Sequence, residues 1–171
     1  MRIALTYNLR TEETEEQSEM YREEEVQRLI DAIESLDHDV TPVEVSGPPG
    51  DTVDAILDAR PRLIFNVAEG KPGQGVSREA YYPSVFEQLG IPYTGGGPAL
   101  MYVDLDKRLT EKLLSVHGIE TPRGIIATRD RPDLPEDLAP PLIVKPNFEG
   151  TSKGIYQKSV VEILEEAREL V

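Results

Sequence analysis

The chain has 171 residues, enough for one domain or for one domain and part of another. A hydrophobic content of 39% and a charged content of 29% are globular values, while a formal charge of −14 (32 acidic against 18 basic residues) and the absence of any basic stripe argue against nucleic acid or an anionic membrane as partner. With no cysteine, disulfides, thiolate metal sites and cysteine nucleophiles are excluded. His38 and His117 both stand where a helix gives way to a loop or strand, and both are read as structural. No apolar run is long enough to span a bilayer, and the opening MRIALTYN reads as a strand, not a signal peptide; a soluble, cytoplasmic protein is expected.

In chain order, residues 2–7 form a first strand, followed by an unusually acidic stretch over 11–25. Apolar positions Val26, Leu29, Ile30, Ile33 and Leu36 recur at helical spacing. Residues 38–45 alternate as a strand, 47–50 form a loop, and Asp51 is placed as the cap of a short helix reaching Ala59. Strand 62–67, helix 79–89 and a brief strand 91–93 come next, then a turn over Gly95, Gly96 and Gly97. This alternation predicts a parallel, Rossmann-like sheet domain over residues 1–97. Pro98 opens a helix running to about Val116 and stopped by Gly118, a connecting segment over 98–120. Its stripe Leu105, Leu109, Leu113 and Val116 opposes a second face of Leu100, Val103 and Leu114, which predicts burial on both sides, with Lys107 on that second face.

From residue 121 the pattern changes to a strand over 124–128, a proline-rich acidic connection over 129–140 and a buried strand over 142–145 ending on Lys145. The segment 143–155, IVKPNFEGTSKGI, carries the most chemistry. Lysine is scarce, six residues against twelve arginines, so one that ends an apolar run stands out. A lysine there is poorly placed to snorkel and costly to leave unpaired. The loop after it offers backbone N–H groups, two hydroxyls and a second lysine, Lys153, as a cradle for anionic oxygens. The spacing is not that of a Walker A loop, and a second apolar arm at Ile155-Tyr156 puts the cradle at the tip of a β-hairpin. Ser159 with Glu162 reads as a capping box for a last helix over 159–171 carrying Val160, Ile163, Leu164 and Ala167.

Four segments in series, IFNVAEG (64–70), REAYYPSVFEQLGIPYTGGG (78–97), LDKRLTEKLLSVHGIETPR (105–123) and PLIVKPNFEGTSKGI (141–155), make the chain resemble the D-alanine–D-alanine ligase branch of the ATP-grasp superfamily, specifically its amino-terminal half. The resemblance implies a fold in which the Rossmann-like domain precedes the start of an α+β ATP-grasp domain over 121–171. It implies an ATP-dependent carboxylate–amine ligase working through an acylphosphate, with peptidoglycan biosynthesis as the setting of its best-known members. ATP phosphates are then contacted by Lys107 and Lys145 and covered by Gly150, Thr151, Ser152 and Gly154, with Ser152 also a catalytic candidate. Amino acids or other small carboxylates and amines are the implied substrates, magnesium the implied cofactor with ligands outside this chain, and a homodimer the implied assembly.

The chain departs from these ligases in its first domain. Residues 68–75 read AEGKPGQG where the family carries a histidine-glycine motif and Gly-Glu-Asp-Gly, and the first-strand glycine turn is replaced by Tyr7-Asn8-Leu9-Arg10. Glu25 is the nearest counterpart of a substrate-orienting glutamate, and Glu69 and Arg78 either line the substrate side or form structural ion pairs. The reading is of an incomplete fragment, inactive alone and binding ATP weakly if at all. The competing reading is a non-catalytic nucleotide-binding or regulatory module. A dinucleotide-binding domain is disfavoured because no G-x-G-x-x-G follows the first strand.

Overall fold

The computed structural model describes residues 1–71, 75–128, 130–131 and 133–171. Residues 72–74 of the departing segment 68–75, and Arg129 and Pro132 of the proline-rich connection, lie outside the described residues. The chain divides into two compact units, Met1–Tyr102 and Val103–Val171.

The first unit is built on β1 (Arg2–Tyr7). Ile3, Ala4, Leu5 and Thr6 are all at most 4% exposed, as a strand covered on both faces requires. β1 is the middle of a three-stranded parallel sheet of order β2-β1-β3, with β2 at Asp39–Glu44 and β3 at Leu63–Val67. Helices α1 (Glu23–Glu34), α2 (Pro49–Ala59) and α3 (Arg78–Leu89) supply the cover. Ala4, Val43, Ile64, Ile56 of α2 and Tyr82 and Phe86 of α3 form one core, with Leu89, Ile91 and Tyr93 packed against it. The chain steps from β1 to β2 in one direction and from β2 past β1 to β3 in the other. With right-handed crossovers, that reversal puts α1 and α2 on opposite faces and leaves a switch point between β1 and β3.

Three details of this unit differ from the sequence reading. Helix α2 starts at Pro49, with Pro48 as its cap residue; Asp51 stands inside the first turn, where its charge meets the positive helix end. The strand expected over 91–93 is a single parallel bridge between Ile64 and Tyr93. Ile64 N donates to Pro92 O at 2.8 Å and Thr94 N to Ile64 O at 2.9 Å, and Pro92 has no N–H to extend the ladder. The acidic stretch stays irregular until Glu23, where Arg22 N donates to the Glu25 carboxylate at 2.8 Å.

The second unit has a small core of Leu134, Val161 and Ala167, flanked by Ile125, Ala127, Leu142, Val144, Leu164 and Leu170. The single helix expected from Pro98 is two, α4 (Pro98–Leu105) and α5 (Lys107–Val116). Between them Asp106 is extended (φ −88°, ψ 93°), and its carboxylate accepts from Leu109 N at 3.0 Å, capping α5. Periodicity does not register this break, because both helices are apolar at compatible spacing. The expected two-sided burial does not occur: Leu105 is buried, whereas Leu113 is 42% and Val116 81% exposed. Lys107 is the first residue of α5, not a residue of a mid-helix face.

No ladder forms over 124–128; only Thr128 bridges, to Arg131. The sheet of this unit has two short antiparallel strands, β4 (Leu142–Ile143) and β5 (Val160–Val161), paired Leu142 to Val161 and Ile143 to Val160. The second arm of the expected hairpin therefore lies five residues beyond Ile155. Ser159 closes a 3-10 turn (Gln157–Ser159), where its hydroxyl accepts from Tyr156 N at 3.0 Å in that turn's own capping box; it does not cap the last helix, whose cap residue is Ile163. Helix α6 is Leu164–Leu170. No helix among the described residues is long and apolar enough to cross a membrane.

Two substitutions check this account. Gly70 has φ +76°, and an added Cβ would fall well inside contact distance of the Arg78 carbonyl. Gly70→Ala is expected to destabilise the chain by about 2–5 kcal/mol in urea unfolding, the sum of a left-handed non-glycine residue and an overpacked contact. The Leu109 amide and the Asn147 amide hold the Asp106 carboxyl below its ordinary range, against the opposing and larger single effect of burial. A depressed carboxylate contributes stability above its unfolded-state pKa and loses it as pH falls through the folded one. Asp106→Ala is expected to cost about 1 kcal/mol at neutral pH, with wild type and variant converging in acid below the ordinary aspartate range.

Candidate functional site

The site in the second unit grows from the start of α5 and the sixteen-residue connection between β4 and β5. Asn147 ties the two together. Its Nδ2 donates to Asp106 Oδ1 at 2.8 Å and its Oδ1 accepts from Arg108 N at 3.1 Å. Its main-chain oxygen accepts from Lys107 N at 3.3 Å and from Lys107 Nζ at 3.4 Å. Lys107 Nζ also donates to the Glu149 carbonyl. The half-buried Lys107 ammonium is thus held over the loop by two of that loop's own carbonyls.

Beyond Glu149 the chain makes two linked turns. Lys153 N donates to Gly150 O at 2.9 Å, and the two residues between, Thr151 and Ser152, have φ of 47° and 58°. Both central residues at positive φ define a type I′-like turn, which normally selects Asn-Gly. Ile155 N then donates to Ser152 O at 3.0 Å across Gly154, whose φ is 73°. Gly154 is required twice over, because a Cβ there would lie 2.6 Å from Pro146 Cγ. Thr151 and Ser152 are exposed, and their hydroxyls make no hydrogen bond among the described residues. Lys153 is only 14% exposed, with its Nζ 2.7 Å from Glu149 Oε2.

Of the residues singled out from sequence, Lys107, Gly150, Thr151, Ser152 and Gly154 come together through Asn147 and Glu149. Lys145 does not join them: it lies two residues past β4, exposed, without hydrogen bond or ion pair among the described residues. The strand it was expected to end is itself not buried, with Ile143 51% exposed. Sequence reasoning passed over Asp106, Asn147 and the Glu149–Lys153 pair. Asp followed by Lys after a leucine is a usable cap signal; nothing local marks Asn147 as a partner forty residues away.

In the first unit the carboxyl ends of β1 and β3 are joined by buried amides. Thr6 Oγ1 donates to Asn66 Oδ1 at 2.8 Å, and the fully buried Asn8 accepts from Glu69 N at 2.9 Å while donating to Ser46 Oγ at 2.9 Å. Arg78 lies buried between Glu19 (3.3 Å) and Glu79 (3.2 Å), an ion-paired arrangement. Glu25 is exposed at the third position of α1, accepting from Arg22 N. A cavity of about 410 Å³ opens beside the end of β2, lined by Leu9, Gln17, Met20, Glu44, Ser46 and Lys71 among others. Among the described residues no three His, Cys, Asp or Glu side chains cluster in a way that fits a metal ion. No residue is therefore assigned to magnesium.

No protein-family model matches the chain. It is 31% identical over 127 residues to the D-alanine–D-alanine ligase of Rhizorhabdus wittichii, covering 74% of this chain and 38% of that protein. It is 33% identical over 143 residues to the corresponding ligase of Nitratidesulfovibrio vulgaris, covering 82% and 45%. Among solved structures, the D-alanine–D-alanine ligase of Bacillus anthracis superposes with a TM-score of 0.70 at 26% identity over 99% of this chain and 52% of that one. The VanG D-Ala:D-Ser ligase of Enterococcus faecalis shares the fold at a TM-score of 0.60 and 20% identity. The chain spans about two fifths of the length of the curated relatives it matches and about half of the solved ligase chains. By sequence and by its α/β fold, the chain is a D-alanine–D-alanine ligase-like protein of the ATP-grasp superfamily.

Proposed function

We propose that the chain is part of an ATP-dependent carboxylate–amine ligase, and that Lys107, Lys145 and the loop of Gly150, Thr151, Ser152 and Gly154 form its phosphate cradle. The observation that carries this reading is the convergence of Lys107 and the glycine loop through Asn147. A cation, two uncommitted hydroxyls and a turn of unusual backbone geometry meet at one place. In the proposed reaction a substrate carboxylate oxygen attacks the γ-phosphorus of ATP. The bond to ADP breaks and an acylphosphate forms. The amine of the second substrate then attacks the acyl carbon, phosphate leaves with the electron pair of the C–O bond, and the amine loses a proton to give an amide.

The chain's residues have physical work in that sequence. Lys107 neutralises charge on the transferring and leaving oxygens, and the N–H and hydroxyl groups of the loop orient them and keep water out. Lys145, exposed without a bound anion, has the reach and charge to close on the phosphates from the opposite arm of the loop. Ser152 is assigned to loop closure over the nucleotide. In the first unit, the switch point at Asn8 and Glu69 is assigned to the amino-acid side, with Glu25 as its orienting carboxylate. A small-molecule carboxylate and an amine are the proposed substrates, and a cytoplasmic homodimer is the proposed form of the whole enzyme.

The 171-residue chain alone is expected to release no phosphate from ATP above a protein-free blank; steady ATP-dependent release would show that the fragment is competent. In a ligase containing this chain together with the rest of the ATP-grasp domain, Lys145→Ala is expected to lower kcat by at least about a hundredfold. Unchanged turnover would remove Lys145 from the mechanism.

A further inference from the structure

The loop carries a charge pair, Glu149 and Lys153, to which the proposed reaction assigns no role. Lys153 and Glu149 are four residues apart but not on a helix, so nothing in regular secondary structure brings them together. Their 2.7 Å approach instead depends on the turn at positions 150–153. Lys153 is drawn to 14% exposure directly after the exposed Thr151 and Ser152, and the price of removing an ammonium from water is met by the carboxylate beside it. The same residue reaches Lys107: the Glu149 carbonyl accepts from Lys107 Nζ. One residue therefore presents an oxygen to each of two lysines, a carboxylate oxygen to Lys153 and a main-chain oxygen to Lys107.

We infer that Lys153 is a further phosphate-contacting residue and that the Glu149 carboxylate occupies its ammonium until an anion displaces it. The inference rests on the reading of this loop as a phosphate cradle. A carboxylate and a phosphoryl oxygen make the same demand on an ammonium, a short charge-assisted hydrogen bond. A polyphosphate brings several negative charges where Glu149 brings one, so exchange favours the polyphosphate. Once it is bound, the Glu149 carboxylate is repelled from the site it held. Glu149 is thus a built-in competitor: it keeps Lys153 oriented and partly desolvated in the empty loop, and it lowers affinity for the anion by the strength of the pair that must be broken.

The test is calorimetric titration of the 171-residue chain with sodium tripolyphosphate at low salt, comparing wild type, Glu149→Gln, Lys153→Gln, the double variant and Lys107→Gln. Circular dichroism and thermal melts establish that each variant is folded. Glu149→Gln keeps the carbonyl and the side-chain shape but removes the charge, and is expected to tighten binding about two- to fivefold, the range a partly exposed ion pair spans. Lys153→Gln is expected to weaken binding, and in its presence Glu149→Gln is expected to add nothing. Unchanged or weaker binding by Glu149→Gln, or a gain that persists without Lys153, overturns the inference. If Lys107→Gln weakens binding in that case, the cradle stands and only the role of this pair is lost. Should no variant bind up to millimolar tripolyphosphate, this inference falls; should Lys107→Gln bind like wild type, the cradle itself falls and this inference with it. A Glu149→Gln variant that does not fold leaves the Lys153→Gln comparison decisive: binding as tight as wild type overturns the assignment of Lys153.

Discussion

The Asn147 side chain is the constraint on which the loop after β4 depends. A primary amide can give a hydrogen bond to a carboxylate and take one from a backbone N–H at the same time, through two separate atoms. Asn147 does both at the first turn of α5, giving to Asp106 and taking from Arg108 N. Asp106 is itself engaged twice, by Asn147 and by Leu109 N, so the cap that begins the helix and the tie that fastens the loop are one hydrogen-bonded unit. Lys107 lies between the two anchor points and has little choice about where its side chain starts. The helix break at Asp106 then has a structural rationale: in a continuous helix the N–H groups of Arg108 and Leu109 would bond to carbonyls of the preceding turn and would not be left for Asn147 and Asp106.

That coupling explains which parts of the fold were legible. In the first unit each element declares itself locally. Ile3, Ala4 and Leu5 read as a buried strand because they are one, and α3 ends where Gly90 adopts the left-handed conformation. Burial there is denser and apolar pattern and structure mostly coincide; the exceptions include the first turn of α2, the bridge at Tyr93 and Leu36, which lies past the end of α1 and is 68% exposed. In the second unit few residues are buried, and pattern loses its meaning. Leu113, Val116, Ile143 and Val160 look like core and are exposed. The β4–β5 pairing is two residues long, too short for alternation to show which segment pairs with which. A sequence reader pairs the nearest apolar arm, Ile155-Tyr156, whereas the structure spans sixteen residues to reach Val160.

The candidate site divides in the same way. Gly154 was singled out through the family resemblance, and the structure supplies the physical reason: a positive φ and a close approach to Pro146 leave no room for a side chain. Lys107 was assigned through the resemblance, but where its side chain is held was not legible, because its partners are carbonyls, which have no identity in sequence. The Glu149–Lys153 pair was invisible as a pair; four-residue spacing implies contact on a helix, and here it arises from a turn that propensity does not favour. Lys145 shows the converse case. Its placement at the end of an apolar run suggested burial and a forced partner, but the run is half exposed and supplies neither.

The loop's backbone bears on why such a site is built from these residues. Thr151 and Ser152 both sit in the left-handed region, where a non-glycine residue costs roughly 1–3 kcal/mol and a β-branched one is least at ease. Against this stand one turn hydrogen bond, Lys153 N to Gly150 O, contributing about 1 kcal/mol, and the Lys153–Glu149 pair, contributing at most about that much. Two such residues together cost about 2–6 kcal/mol, against about 2 kcal/mol from these two contacts, so the turn is not held by its own contacts alone. Asparagine and glycine at the two positions would relieve the strain but would remove both hydroxyls. A threonine-serine turn keeps the hydroxyls exposed at the cost of that strain. On the proposed function, a polyphosphate accepting from those hydroxyls and from Lys153 would add stabilisation that the turn's own contacts do not supply, and the strain would be the cost of presenting both hydroxyls to it.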